Sequence, residues 1–187
     1  MAKGTDRRAA YTRSVIKEAL LALKKSMPFD EITVSALCRE AGIHRGTFYL
    51  HYRNTMEVLD EVLDDALDNV RDLPSHLSGG SDGCRCGYPL CRFLRESEKY
   101  RPVLMDDALA GHVLDRIAGR ARAPFLAYMR PKSALTDEQL EAVLLFQLNG
   151  CFAISKKCGG CGDQRWRGVQ EAVDHFIRGG LDACGLE

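Results

Sequence analysis

The sequence has no apolar run approaching the roughly 18 residues needed to cross a bilayer, so no membrane span is expected. Its opening residues, MAKGTDRRAAYTRS, lack the apolar core of a secretory signal, and the chain is expected to stay in the cytoplasm. Nowhere do apolar and polar residues alternate with period two over a strand's length, and no internal repeat is visible. Enzyme signatures are missing as well. There is no phosphate-cradling P-loop and no H-E-x-x-H pair, and the five histidines are scattered. The expected class is therefore a helical protein that binds rather than catalyses.

Net charge is also missing, with 26 basic side chains balanced by 26 acidic ones, but the balance is uneven along the chain. Residues 1–53 carry 10 Lys and Arg against 5 Asp and Glu, while residues 54–187 carry 16 against 21. A head of net +5 on a body of net −5 places the cations where a polyanion would need them. A hydrophobic fraction of 45% and a charged fraction of 28% describe an ordinary globular chain of one or two domains.

Within the basic head, residues 33–52 read TVSALCREAGIHRGTFYLHY. Thr33 is placed to cap a short helix whose Val34, Leu37, Cys38 and Ala41 share one face. Gly42 supplies the left-handed turn, and Ile43 plugs it from behind. A second helix over residues 44–51 buries Phe48 and leaves Arg45, Gly46, Thr47, Tyr49 and His51 to face a partner. That is a helix-turn-helix whose second helix is furnished for a DNA major groove.

The rest of the chain reads as helices. Residues 5–25 carry an apolar stripe of Tyr11, Val15, Ile16, Ala19, Leu20 and Leu23. A helix over 54–71 opens with Asn54 and Glu57 spaced as a capping box and links the head to the C-terminal body. Residues 72–88, rich in Gly, Ser and Asp, form a long loop. Further helices are expected over 89–97, 102–106, 108–129 and 136–157, with a last one capped by Asp163. Thr136 and Gln139 are spaced as a second capping box. The expected architecture is all-α, with about nine helices in two domains. Residues 1–53 are the DNA-binding head, 54–71 the link, and 72–187 the ligand-binding and dimerisation bundle. The last two helices have more apolar surface than one small bundle needs, so they are expected to pair with a second copy; closing the monomer's own core is the alternative.

These N-terminal residues resemble the tetracycline-repressor (TetR) family. The matching pieces are Thr33-Val34…Leu37-Cys38…Ala41-Gly42-Ile43, then Arg45-Gly46-Thr47-Phe48-Tyr49-Leu50-His51-Tyr52, then Arg53-Asn54-Thr55, within about residues 8–60. The resemblance implies that Thr33 and Thr47 contact phosphates and that Arg45 reads a base. It implies backbone and base contacts for Tyr49 and His51, and close approach of the helix to the groove at Gly46. His44 and Tyr52 belong to the same implied DNA-binding set, with core packing an open alternative for Tyr52. His44 stands where the family usually has a Ser or Thr cap, and Thr55 where it usually has a phosphate-gripping lysine. The family habit implies a dimeric repressor that leaves a palindromic operator when a small effector binds. Phe93, Leu114, Phe125, Met129 and Phe146 are the candidate effector pocket.

Eight cysteines remain to be placed. Cys84, Cys86 and Cys91 cluster before one helix, and Cys158-Gly-Gly-Cys161 forms a knuckle of the kind that turns two sulfurs toward one metal. Four of these five thiols would complete a structural zinc site. The alternatives are a metal or thiol-reactive sensor, a redox disulfide and unligated thiols, with His76 and His112 as further candidate ligands. Cys38, Cys151 and Cys184 stand singly and read as core or surface thiols.

Overall fold

The structure, a computed structural model, describes residues 3–68, 94, 97–158 and 163–183. Among them are eight α-helices and two short 3₁₀ turns, with no strand. The helices are α1 (Lys3–Lys24), α2 (Val34–Glu40), α3 (Arg45–Tyr49), α4 (Thr55–Asp68), α5 (Arg101–Leu104), α6 (Ala110–Met129), α7 (Asp137–Cys158) and α8 (Asp163–Ala183). Of the expected helix over 89–97 only Leu94 and Ser97 are described; Leu94 is helical and buried. No helix among the described residues is long and apolar enough to cross a membrane.

The chain divides into two compact units. The first comprises residues 1–66 together with 98–109; the second comprises 67–97 and 110–187. This differs from a single cut along the sequence, because α5 and its flanks join the head although the residues on either side of them belong to the second unit.

In the first unit Ile16, Leu20, Leu37, Phe48, Leu59, Leu63 and Leu104 are fully buried, so α1 to α5 all contribute to its interior. At about 25 cal/mol per Å² of apolar surface, each such side chain contributes roughly 1.5–3 kcal/mol. Tyr11 does not join the stripe expected of it and is 72% exposed. It lies five residues before Ile16, which puts it about 140° around the helix from the buried face.

Ion pairs reinforce the unit. Arg13 Nη2 stands 2.6 Å from Glu61 Oε2, and Lys17 reaches Glu61 Oε1 at 3.1 Å and also pairs with Asp65, tying α1 to α4. Lys24 and Asp106, 2.6 Å apart, each expose only about a tenth of the side chain, and Lys99 meets Glu18 at 2.5 Å. These two pairs fasten the 98–109 segment to α1.

Caps set the helix ends. The amide of Gln139 donates to Thr136 Oγ1 and the Thr136 amide donates back to Gln139 Oε1, a complete capping box. At α4 the Glu57 amide donates to Asn54 Oδ1, but the Glu57 carboxylate accepts from the Arg53 amide, one residue earlier than a box would have it.

In the second unit α6 and α7 form an antiparallel hairpin. Val113, Ile117, Phe125, Leu126 and Met129 of α6 are buried, as are Leu140, Leu144, Leu148, Cys151 and Phe152 of α7. Arg122 pairs with Glu141, and Arg130 Nε donates to Asp137 Oδ1 at 2.7 Å, fixing the register of the hairpin at its closed end. α6 continues through Pro124.

Candidate nucleic-acid interface

The helix-turn-helix is built from local rules. Thr33 has extended backbone, and its Oγ1 accepts from the Ala36 amide at 3.1 Å, starting α2. Gly42 turns the chain with φ +65°, a left-handed value that a side chain would strain. The Ile43 amide then donates to the Cys38 carbonyl at 2.9 Å and the Gly42 amide to the Arg39 carbonyl at 3.3 Å, the Schellman closure that directs α3 away from α2.

Phe48 anchors α3. Its ring is fully buried and meets Tyr49 edge-on, with centroids 5.5 Å apart, and Tyr52 at 5.9 Å. With Phe48 inside, the remaining side chains of this short helix have nowhere to go but outward. His44, Arg45, Gly46 and Tyr49 are exposed, while Thr47 and His51 are half-buried. His44 is the N-cap of α3 by backbone position, but its imidazole makes no capping bond, so the ring stays at the surface. Thr33 is exposed, and because its oxygen is the acceptor in the cap, its own O–H remains able to donate outward.

Arg45 is held in place. Nη1 donates to Ser35 Oγ on α2 at 3.3 Å, Nη2 donates to Tyr49 Oη at 3.2 Å, and the guanidinium carbon lies 5.9 Å from the Tyr49 ring centroid. The hydrogen bond to Tyr49 raises the Arg45 pKa further above its already high ordinary value. Ser35 is not among the residues that the sequence pattern points to at the interface. Its partner lies ten positions away across the turn, so no spacing within one helix reveals it.

Tyr52 leaves the DNA-binding set. It is 3% exposed, and its hydroxyl donates to Glu61 Oε2 at 2.8 Å, beneath the Arg13 guanidinium, which lies 5.4 Å from its ring centroid. Burial, and then the bond to Glu61, push the Tyr52 phenol well above its ordinary value. Its side chain locks α3 to α4 from inside. Burial pushes the Glu61 carboxyl up as well, but hydrogen bonds from Arg13, Tyr52 and Lys17 together outweigh this and hold it below the usual value. With Glu61 and Asp65 engaged by Arg13 and Lys17, exposed Arg39, Arg45 and Arg53 stand around the helix-turn-helix.

The other expected sites are placed less completely. Phe125 and Met129 are buried in the second unit and Leu114 is half-buried, whereas Phe146 is 65% exposed on α7 and does not share their interior. Phe93 lies outside the described residues. So do Cys84, Cys86, Cys91, Cys161, Cys184 and His76, leaving Cys158 as the one member of the proposed metal set that is described. Cys158 ends α7 half-buried and outside any disulfide. His112 is half-buried on α6, Cys38 and Cys151 are core residues, and no metal-sized group of ligands occurs among the described residues.

No family model matches the chain. It is 32% identical over 104 residues, 55% of its length, to the "Uncharacterized HTH-type transcriptional regulator YxbF" of Bacillus subtilis (strain 168). That match takes in 25% of the relative's own length, so the chain spans only a part of it. Among solved structures, the chain is similar to the TetR family repressor AlkX of Dietzia sp. strain DQ12-45-1b, implicated in biodegradation of n-alkanes. The TM-score is 0.52 at 16% identity, covering 89% of this chain and 96% of that one. It is likewise similar to the dihydroxyacetone kinase operon activator DhaS, with a TM-score of 0.50 at 22% identity, covering 92% and 94%. The all-α architecture of this chain is thus that of the TetR-type repressor fold.

Proposed function

We propose that this chain is a non-enzymatic, cytoplasmic transcriptional regulator that binds double-stranded DNA sequence-specifically. The observation that carries the reading is the restrained, exposed Arg45–Tyr49 pair on a helix pinned by fully buried Phe48, beside a turn closed by Gly42. A helix-turn-helix places its second helix in the major groove, where an arginine fork meets the acceptor edge of guanine. Thr33, Thr47 and His51 surround it with donors for phosphate oxygens, and His44 and Gly46 open the helix toward the groove. The likeness to a repressor and to an operon activator supports a regulator of transcription, and the resemblance of the head to the TetR pattern favours repression.

The functional unit in this reading is a homodimer joined through α7 and α8. Leu145 and Phe146 of α7 and Phe176 of α8 are 49%, 65% and 69% exposed, an apolar display that a second copy would cover. A small effector seated among Leu114, Phe125 and Met129 would shift α4 and respace the two recognition helices, releasing the operator. A second reading is favoured by the half-buried thiol of Cys158 at the end of α7. With Cys84, Cys86, Cys91 and Cys161 it would form a zinc site, structural or sensory.

Selection from a pool of random duplexes tests the reading. The protein should enrich a pseudo-palindrome whose half-sites lie about one helical turn, roughly 10 base pairs, apart. Recovery of no enriched sequence at low salt would sink it.

A further inference from the structure

We propose that Ser35 is a positioning residue for base readout, and that with Tyr49 it presents the Arg45 guanidinium to a guanine in each half-site. The inference rests on the DNA-binding reading above and deepens it. A lone exposed arginine samples many rotamers, and ordering them on binding opposes affinity and blurs the choice of base. Arg45 is instead fixed at two points that come from different helices. Ser35 Oγ on α2 accepts from Nη1 at 3.3 Å, and Tyr49 Oη on α3 accepts from Nη2 at 3.2 Å.

Both supports are themselves anchored. Ser35 sits in the first turn of α2, two residues after the Thr33 cap, so its Cβ is set by a defined helix start. The Tyr49 ring rests edge-on against fully buried Phe48 at 5.5 Å. The path from core to guanidinium therefore runs Phe48, Tyr49, Arg45 on one side and Thr33, Ser35, Arg45 on the other.

The donor count decides what such a fork can bind. A guanidinium carries five N–H groups, and these two bonds use one on each terminal nitrogen. Each terminal nitrogen and Nε keep one, enough for the O6 and N7 acceptors of guanine, a bidentate match that no other base edge offers in the major groove. Both struts accept hydrogen bonds through oxygen lone pairs, so the hydroxyl protons of Ser35 and Tyr49 stay available for phosphate oxygens. The same two side chains can thus hold Arg45 and grip the backbone beside the base it reads.

The test compares sequence profiles selected from one random-duplex pool by the full chain and its variants. Arg45→Ala should erase the preference for guanine at one column of each half-site. Ser35→Ala should lower discrimination at that same column about three- to tenfold, the net size of one ordinary hydrogen bond, which is what solvent exposure leaves of a charged one, and leave the other columns unchanged. Tyr49→Phe, which keeps the ring and removes the hydroxyl, should weaken the same column, and Ser35→Thr should restore it. Melting temperatures should not move with Ser35→Ala, since alanine is a good helix former. The proposal fails if Ser35→Ala keeps guanine discrimination within twofold of the parent, as loss of a mere phosphate contact would, or if it flattens every column equally, as general misplacement of the recognition helix would. If the parent protein enriches no sequence, the DNA-binding reading falls and this inference with it. A guanine column that survives Arg45→Ala would overturn the inference alone.

Discussion

Replacing Glu61 by glutamine should loosen α1 from α4 in a manner that depends on pH. The carboxylate accepts from Arg13 Nε at 2.9 Å and Nη2 at 2.6 Å, faces Lys17 at 3.1 Å and takes the Tyr52 hydroxyl at 2.8 Å. Glutamine keeps an oxygen for Tyr52 and removes the charge that Arg13 and Lys17 answer. Arg13 and Lys17 keep their own charges, so each ion pair becomes a hydrogen bond from a cation to a neutral amide, a change of roughly 1 kcal/mol each before screening. Arg13 is 47% exposed, which screens its share. The expected destabilisation at pH 7 is therefore about 1–2 kcal/mol.

The sign of the pH effect is set by the direction of the Glu61 shift. Its folded pKa lies below the ordinary 4.5, so its stabilisation is present above that value and is lost as pH falls through the lower folded one. The gap between parent and Glu61→Gln should be constant from pH 8 to 5 and narrow progressively below 4.5. Because the chain has two compact units, the readout should be local: amide hydrogen exchange in α1 and α4 rather than one global melt. A gap that stays constant or widens on acidification would refute the reasoning.

Three further outcomes can be measured directly. Gly42→Ala should lower the stability of the head by about 1–2 kcal/mol, since open space around the glycine leaves the left-handed backbone as the source of strain; unchanged exchange in α2 and α3 would contradict this. Phe146→Glu should shift the chain from dimer to monomer in analytical ultracentrifugation at micromolar concentration, and a dimer that persists would remove α7 from the interface. Protein purified without chelator should carry about one zinc per chain that is released when Cys158 and Cys161 become serine; less than roughly half an equivalent in the parent would end the structural-zinc proposal.

What the sequence discloses depends on how far along the chain each determinant acts. The Thr33 cap, the Gly42 turn and the Thr136–Gln139 box operate within six residues, and each is legible because one residue type is strongly favoured in one backbone setting. Helical periodicity likewise exposes the all-α class and the inward side of α6, whose partner α7 comes after a short connection. Tyr52 is ambiguous in sequence for a reason of the same kind. An aromatic phenol suits a phosphate or a core equally well, and only Glu61, nine residues on and across a helix start, decides for the core. Phe146 shows the converse error. An apolar residue on an amphipathic helix reads as interior, whereas α7 carries apolar side chains on more than one face.

The placement of residues 98–109 is beyond any local rule. α5 is four residues long, too short to show periodicity, and its attachment to the head depends on partners about 80 positions away, Lys99 with Glu18 and Lys24 with Asp106. Both members of the second pair are about nine-tenths buried, and Asp106 also accepts from the Ala108 amide at 2.7 Å. Burial pushes the Asp106 carboxyl up, but the Lys24 ammonium and that amide together bring it below its ordinary value, so the carboxyl stays ionised at neutral pH. A buried pair of this kind is strongly unfavourable to break by removing one partner, since the other charge is then left without a counter-ion away from water. The segment is therefore held to α1 by an interaction that tolerates little displacement, while the next residue along the chain opens α6, the helix that carries Leu114, Phe125 and Met129. Lys24, the last residue of α1, thus holds by its charge a segment that lies about 80 positions further along the chain.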